Sequence, residues 1–452
     1  MRRTKNTMGR KKERGVVITL VAVFMLFVIG AMAALSIDVV TLYTTRSEAQ
    51  LAADSAALAG ARVLANSGMT SDPNTTTDNL MANAQGLAQI VAIQVAQSNP
   101  VGGRDLVASN GEVIVGFNGS ATNPCVTLAP GANPCITVQV QRTDLPTFFA
   151  RIWGSTANTV KASATAEAYN PSNLAGTSTT QGPPVAPMCV KPWLLPNLSP
   201  TPAAGQIFDP TTGAIVDTTL LGWSTPTTGG PTAYKLRADC TTDCATQPAN
   251  NPQIWRYYPG DPADFTPPNA SSVLCPGCSG FNNTQLSIVG CVPTPIACNK
   301  PVHVYTANPD ANLDVDAAIA VNNLTHTTTG PGGDSVDTTA PSPPFQFLAG
   351  DDNPLVQSGA VSAKTDIMVS DSLVTVPVID TTTWPPPAYP QVQIIGFVQL
   401  FLSPTGQAVQ NNHIHTQVIN LVGCGTSGTS ATGQPILGNG ASPVAVRLIS
   451  PP

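Results

Sequence analysis

Ten cysteines are the residues in this chain best placed to do chemistry: Cys125, Cys135, Cys189, Cys240, Cys244, Cys275, Cys278, Cys291, Cys298 and Cys424. Thiols in even number, all downstream of a long apolar run, read as disulfides in an exported chain. Cys125 and Cys135 flank VTLAPGANP, a loop of hairpin length, and are expected to pair. Cys240/Cys244, Cys275/Cys278 and Cys291/Cys298 are close in sequence and suit local pairing, although spacing does not fix connectivity. Cys240-x3-Cys244 with Cys275-x2-Cys278 also has the ligand set of a four-thiolate zinc site, and Cys275-Pro-Gly-Cys278 the spacing of a redox dithiol. An oxidising compartment disfavours the first, and a Pro/Gly loop without a βαβ pattern disfavours the second.

Two other clusters bear on metal binding. Asp310, Asn312, Asp314 and Asp316 put oxygen ligands at alternate positions, like the start of a calcium loop. The turn glycine is replaced by Val315 and the bidentate glutamate by Val321, so a polar loop or helix start is the expectation. His413 and His415 share one face if the segment is extended, but no third ligand is evident. There is no Gly-x-Ser-x-Gly, P-loop, Gly-x-Gly-x-x-Gly or His-Glu-x-x-His. Nothing implies a catalytic centre, a cofactor or a resident metal, and a non-enzymatic protein is expected.

The elements that position these residues begin with a membrane segment. Residues 15–37, GVVITLVAVFMLFVIGAMAALSI, carry no charge, and about 22 helical residues span about 33 Å, enough for a bilayer core. Seven Lys/Arg and one Glu precede Gly15, leaving 13 basic and 25 acidic residues in the rest, a net of −12. The acidic body has no surface suited to nucleic acid. The basic tip, residues 1–14, predicts a cytoplasmic N-terminus and an exported body by the positive-inside rule. Ala31-Met32-Ala33 has the form of a signal-peptide cleavage site, and Gly15 follows basic residues as in a prepilin leader. The apolar pattern continues through Leu35, Ile37, Val39, Val40 and Leu42, and the acid expected five residues into a mature pilin is absent at Leu20. An uncleaved inner-membrane anchor is therefore the reading taken, with a cleaved, surface-delivered adhesin as the alternative.

The helix is expected to run on to about Ala65. Within QLAADSAALAG, Ala49, Ala53 and Ala57 form one i,i+4 row and Ala52, Ala56 and Gly60 the next, around Asp54. Small residues so spaced allow close approach of another helix, and this row is the candidate contact with a partner subunit. The run SIDVVTLYTTRSEAQLAADSAALAGAR resembles the N-terminal segment of TadG-like Flp pilus-assembly proteins of tight-adherence systems. Asp38, Tyr43, Arg46, Gln50, Ala52, Ala53, Asp54, Ala56, Ala57, Leu58, Ala59, Gly60 and Ala61 match its pattern. The resemblance implies an inner-membrane protein that helps assemble, anchor or decorate a pilus, with pilin or assembly subunits as partners. The Asp-x-Ser-x-Ser of the von Willebrand A domain found in some members is absent here.

Beyond the anchor an α+β fold is expected. A second helix, 78–97, shows an apolar face of Leu80, Ala84, Leu87, Val91 and Val95. Period-two patterns follow at EVIVGFN, CITVQVQR and VKASATAEA, with a short helix at LPTFFARIWG, completing a pilin-like helix-plus-sheet module over 38–169. Residues 170–187, with four prolines, read as a linker. The remaining 188–452 read as a larger, mainly-β, disulfide-containing module, a sandwich or similar sheet, with its clearest strands at 373–380, 392–402 and 415–423. Roughly 195–370 gives no readable pattern.

Overall fold

A computed structural model describes residues 11–71, 78–117, 133–147, 154, 157–174, 184–200, 205–225, 236–238, 255–265, 278–305, 313–327, 332–339, 343–367, 369–381, 391–424, 436–437 and 442–449. The fold is α+β. Helix α1, Lys11–Asn66, is unbroken for 56 residues because no proline or β-turn signal interrupts it and alanine dominates its second half. It stops where Gly68 takes φ +82°, the left-handed conformation that ends helices without penalty only at glycine. Helix α2 runs Asp78–Gln97.

The chain forms two compact units built from discontinuous segments. The first takes in the chain up to Ala56, Ala92–Val115 and Val138–Ala164. It holds most of α1, the end of α2, strand β1 (Val113–Gly116) and much of β2 (Cys135–Pro146) and β3 (Ala157–Tyr169). The expected alternation holds on β2, where Ile136, Val138 and Val140 are buried between half-buried Thr137, Gln139 and Gln141.

The second unit takes in Ala57–Val91, Gly116–Thr137 and Thr165–Pro452. Its centre is a mixed seven-stranded sheet of β5 (Trp193–Pro196), β6 (Arg237–Ala238), β7 (Arg256–Pro259), β8 (Pro301–His303), β12 (Leu373–Ile379), β13 (Gln391–Leu402) and β14 (Thr416–Gly423). The order is β14-β13-β12-β5-β7-β6, with β8 pairing the start of β13. The three strands legible in the sequence, β12, β13 and β14, are adjacent and antiparallel, whereas β5 joins β12 in parallel. Val374, Val376 and Val378 of β12 and Val398, Leu400 and Leu402 of β13 share one core with Ile288 of α4 (Asn283–Val289) and Ala317, Ala320 and Val321 of α5 (Leu313–Leu324). The short helix α3, Pro262–Phe265, precedes α4. Leu373, Phe401 and Ile419 join a second core with Phe345 and the residues of a small antiparallel sheet, β9 (Ser335–Val336), β10 (Phe347–Leu348) and β11 (Asp366–Ile367).

Of the expected sandwich or similar sheet, the larger module is the second, one main sheet with helices over one face and a small sheet over the other. Strands shorter than four residues and helices embedded in Pro/Thr-rich loops carry no period to read. Elsewhere in this unit, β4 (Val185–Ala186) pairs β15 (Ile436–Leu437) in parallel, and β16 (Ala445–Ile449) pairs the end of β3.

The stretch read as a linker is packed at its described ends. Asn170 is buried and donates to Thr70 O at 3.0 Å and Leu421 O at 2.9 Å, and Ser172 Oγ accepts from Gly423 N at 2.6 Å. Proline-rich composition marks irregular backbone, whether it is solvated or packed. The short helix expected around Phe148–Trp153 lies outside the described residues.

Candidate functional site

Val16, Leu20, Phe24 and Phe27 are 63–68% exposed, although their surroundings in water would be costly. This helix alone among the described residues is long and apolar enough to cross a membrane. Its few hydroxyls are satisfied within the helix: Thr19 Oγ1 donates to Gly15 O at 2.9 Å and Ser36 Oγ to Ala33 O at 2.8 Å. That arrangement removes the cost of an unpaired hydroxyl in hydrocarbon. Asp38, the first acid after the span, is buried, while Val40, Tyr43 and Leu51 beyond it stay exposed.

Beyond that point α1 is fastened by its polar residues. Glu48 Oε2 accepts from Gly102 N at 2.7 Å. Gly102 has φ +59°, and a side chain there would meet Leu145 and Thr45, so the loop approaches α1 only because this residue lacks a Cβ. Arg142 holds the same loop by donating to Val101 O and, at 3.1 Å, to Gly102 O. Next to it Arg104 grips both oxygens of Glu112 and reaches Asp144 Oδ1 at 3.0 Å. The Arg104 hydrogen bonds hold the Glu112 carboxyl below its ordinary pKa, and the Arg142 hydrogen bond, aided by Arg104, does the same for Asp144.

Asp54 has a defined task. Its Oδ1 accepts from Gln50 Nε2 at 2.7 Å, one helical turn away, while the same amide nitrogen reaches Ser163 O on β3 at 3.3 Å. The carboxylate orients the amide that ties the helix to the sheet. The structure brings the polar members of the QLAADSAALAG pattern to work on this chain's own strand.

The alanine row is likewise closed within the chain. Ala49, Ala52, Ala53, Ala56 and Ala57 are fully buried, and Gly60 is buried. These residues have no surface left for a partner helix, which corrects the expectation drawn from their spacing. A second small-residue row, which the sequence reading passed over, lies on α2, where Ala84, Ala88, Ala92 and Ala96 are fully buried while Leu87, Val91 and Val95 are only half-buried. Alanine at every fourth position was the available signal. Asn99, just past α2, donates to Ser55 Oγ at 3.3 Å, which brings the end of that helix beside the first row.

The end of α1 enters the second unit through a buried polar network. Asn420 Nδ2 on β14 donates to Ala65 O at 2.7 Å and to Gln399 Oε1 on β13 at 2.5 Å. Gln399 Nε2 reaches Asn66 Oδ1 at 3.3 Å, and Ser71 Oγ bridges Asn420 Oδ1 and Leu421 O, both at 3.1 Å. Carbonyls in the last turn of a helix lack intrahelical partners, and here strand side chains supply one. Sequence reasoning missed Gln399 and Asn420, since a lone polar residue in an apolar strand has no periodic signature.

Of the expected disulfides, local pairing of Cys291 with Cys298 is wrong. Cys189 bonds Cys291 across 102 residues and Cys298 bonds Cys424 across 126, with Cα separations of 4.4 and 5.3 Å. The fold brings segments distant in the chain together, and proximity in sequence has no bearing on it. Cys135 and Cys278 are disulfide-bonded; Cys125, Cys240, Cys244 and Cys275 lie outside the described residues, as do Asp310 and Asn312. Asp314 and Asp316 stand in the first turn of α5, where Asp316 accepts from Asn282 at 2.9 Å and Gln285 at 3.0 Å and so ties α5 to α4. His413 Nδ1 meets Asn411 O at 2.5 Å in a turn, while His415 is buried. No group of three metal-ligating side chains occurs among the described residues.

Residues 15–63 match the Tad family model, described as Flp pilus-assembly TadE/G-like. The match covers the apolar span, the Gln50–Asp54 pair and the alanines Ala49–Ala57 of α1, so the N-terminal region is similar to that family and ties the chain to Flp/Tad pilus assembly. No curated protein and no solved structure matches the chain.

Proposed function

We propose that the protein is a non-enzymatic component of a tight-adherence pilus-assembly system, held in the inner membrane by residues 15–37 with its N-terminus cytoplasmic and its body exported. The observation that carries this reading is one uninterrupted helix, bare and apolar at its first half and locked into folded structure at its second, over the segment that matches the Tad family. Such a helix carries the chain from the bilayer into its folded part, which suits a component that holds other subunits at the membrane. Since the alanine row is closed, contact with pilin or assembly subunits falls to the exposed side of α1. There Val40, Tyr43 and Leu51 are 63%, 71% and 64% exposed at helical spacing.

Membrane fractionation, N-terminal sequencing and protease protection in spheroplasts test this. The expected product is an integral membrane chain with an intact N-terminus and a protease-accessible body. A soluble mature chain starting near Ala34 refutes the anchor and favours the released adhesin.

A further inference from the structure

A cleft of 490 Å³ in the second unit is lined by Arg62, Lys191, His326 and Asp371, by the Cys189–Cys291 disulfide, and by Val289, Leu324, Leu373 and Val374. Its charges do not balance. His326 Nε2 meets Asp371 Oδ2 at 3.0 Å, so the one carboxylate lining the cleft is engaged. Lys191 is 5% exposed, and among the described residues it donates to Gly290 O alone, at 2.9 Å, leaving two ammonium donors unused there. Burial lowers its pKa to about 8, opposed by the Asp371 charge. Arg62, half-buried, makes no hydrogen bond or ion pair among the described residues, and desolvation lowers its pKa too. Two desolvated cations line one cavity whose lining carboxylate, Asp371, is hydrogen-bonded to His326, and a bound anion would offset their cost. The apolar residues supply a wall for a larger body, and the volume is in the usual range for small-molecule sites.

We propose that this cleft binds a small organic acid, with Arg62 and Lys191 holding its carboxylate or phosphate oxyanion and Val289, Leu324 and Val374 packing against its body. Guanidinium and ammonium donors serve both head groups, Arg as a planar fork and Lys as a point charge. The site is separate from the membrane segment and does not depend on the role proposed for it.

The test is calorimetric titration of the full chain in detergent with benzoate, phenyl phosphate and inorganic phosphate. Benzoate binding alone identifies a carboxylate ligand and phenyl phosphate binding alone a phosphate monoester; either supports the site, as does binding of both. Arg62→Gln is expected to weaken that binding about tenfold or more, whereas Lys364→Gln, at an exposed lysine outside the cleft, leaves it unchanged. Binding of inorganic phosphate alone, binding of none of the three, or wild-type affinity in Arg62→Gln overturns the proposal. If Arg62→Gln does not fold, the Arg62 Nε resonance of the wild-type chain decides. Movement on saturation with the probe supports the site, and a fixed resonance overturns it.

Discussion

Asn420→Leu tests the junction between the end of α1 and the large sheet. The substitution keeps volume and removes both amide functions, so its cost comes from the groups left behind. Asn420 is fully buried, and its Nδ2 serves two acceptors, Ala65 O and Gln399 Oε1, on residues that are themselves fully buried. Ser71 Oγ keeps a second partner in Leu421 O, so its loss counts for less. Two buried acceptors that each lose a hydrogen bond cost about 1–3 kcal/mol each, or about 4 kcal/mol together. Denaturant unfolding of the full chain in detergent measures this, with fluorescence of Trp193, Trp223 and Trp255, all in this unit, as the signal. Gln399→Leu removes one of the two acceptors, so the double variant is expected to fall short of the summed single costs by about 1–3 kcal/mol. A cost below about 1 kcal/mol for Asn420→Leu, or additivity of the pair, refutes a shared buried network.

Four further outcomes follow from the same geometry. Asp54→Ala frees the Gln50 amide and is expected to raise amide exchange in β3 near Ser163, while costing only about 0.5–1 kcal/mol because the pair is solvent-exposed; unchanged exchange refutes the orienting role. Glu112 has a folded pKa below its unfolded value, so its stabilisation is present above about pH 4.3 and lost as pH falls through the folded pKa. Glu112→Gln should therefore be less stable than wild type at neutral pH, with the gap closing in acid; a gap independent of pH counts against the ion pair. Peptide mapping without reductant is expected to recover Cys189–Cys291 and Cys298–Cys424 cross-links, and replacing Cys298 and Cys424 by serine to cost about 2–5 kcal/mol; a Cys291–Cys298 peptide refutes this topology. Leu51→Glu is expected to impair piliation without changing stability, whereas Ala53→Trp is expected to unfold the chain by overpacking a fully buried site. Unimpaired piliation in Leu51→Glu refutes the exposed face as a contact.

The sequence by itself determined every feature that depends on a local period or a local sum. The apolar span, the helix running to Asn66, α2 and the alternating strands β1–β3 carry a regular spacing, and β12–β14 are continuous apolar runs bounded by turn residues; both signals survive without knowledge of neighbours. Residues 15–63 were legible as Tad-like for the same reason, since the pattern lies on one helix. Tertiary structure decided what each surface meets. Ala49 and Ala53 read identically whether a second chain or this one covers them, and only their complete burial in the folded chain shows that this chain covers them. Asp54 acquires a task only once Ser163 stands beside Gln50. Cys291 pairs across 102 residues and Arg62 faces Lys191 across one cleft because packing, not chain distance, sets which groups are neighbours. Contacts between distant segments carry no sequence period, so they become visible only when the chain is folded.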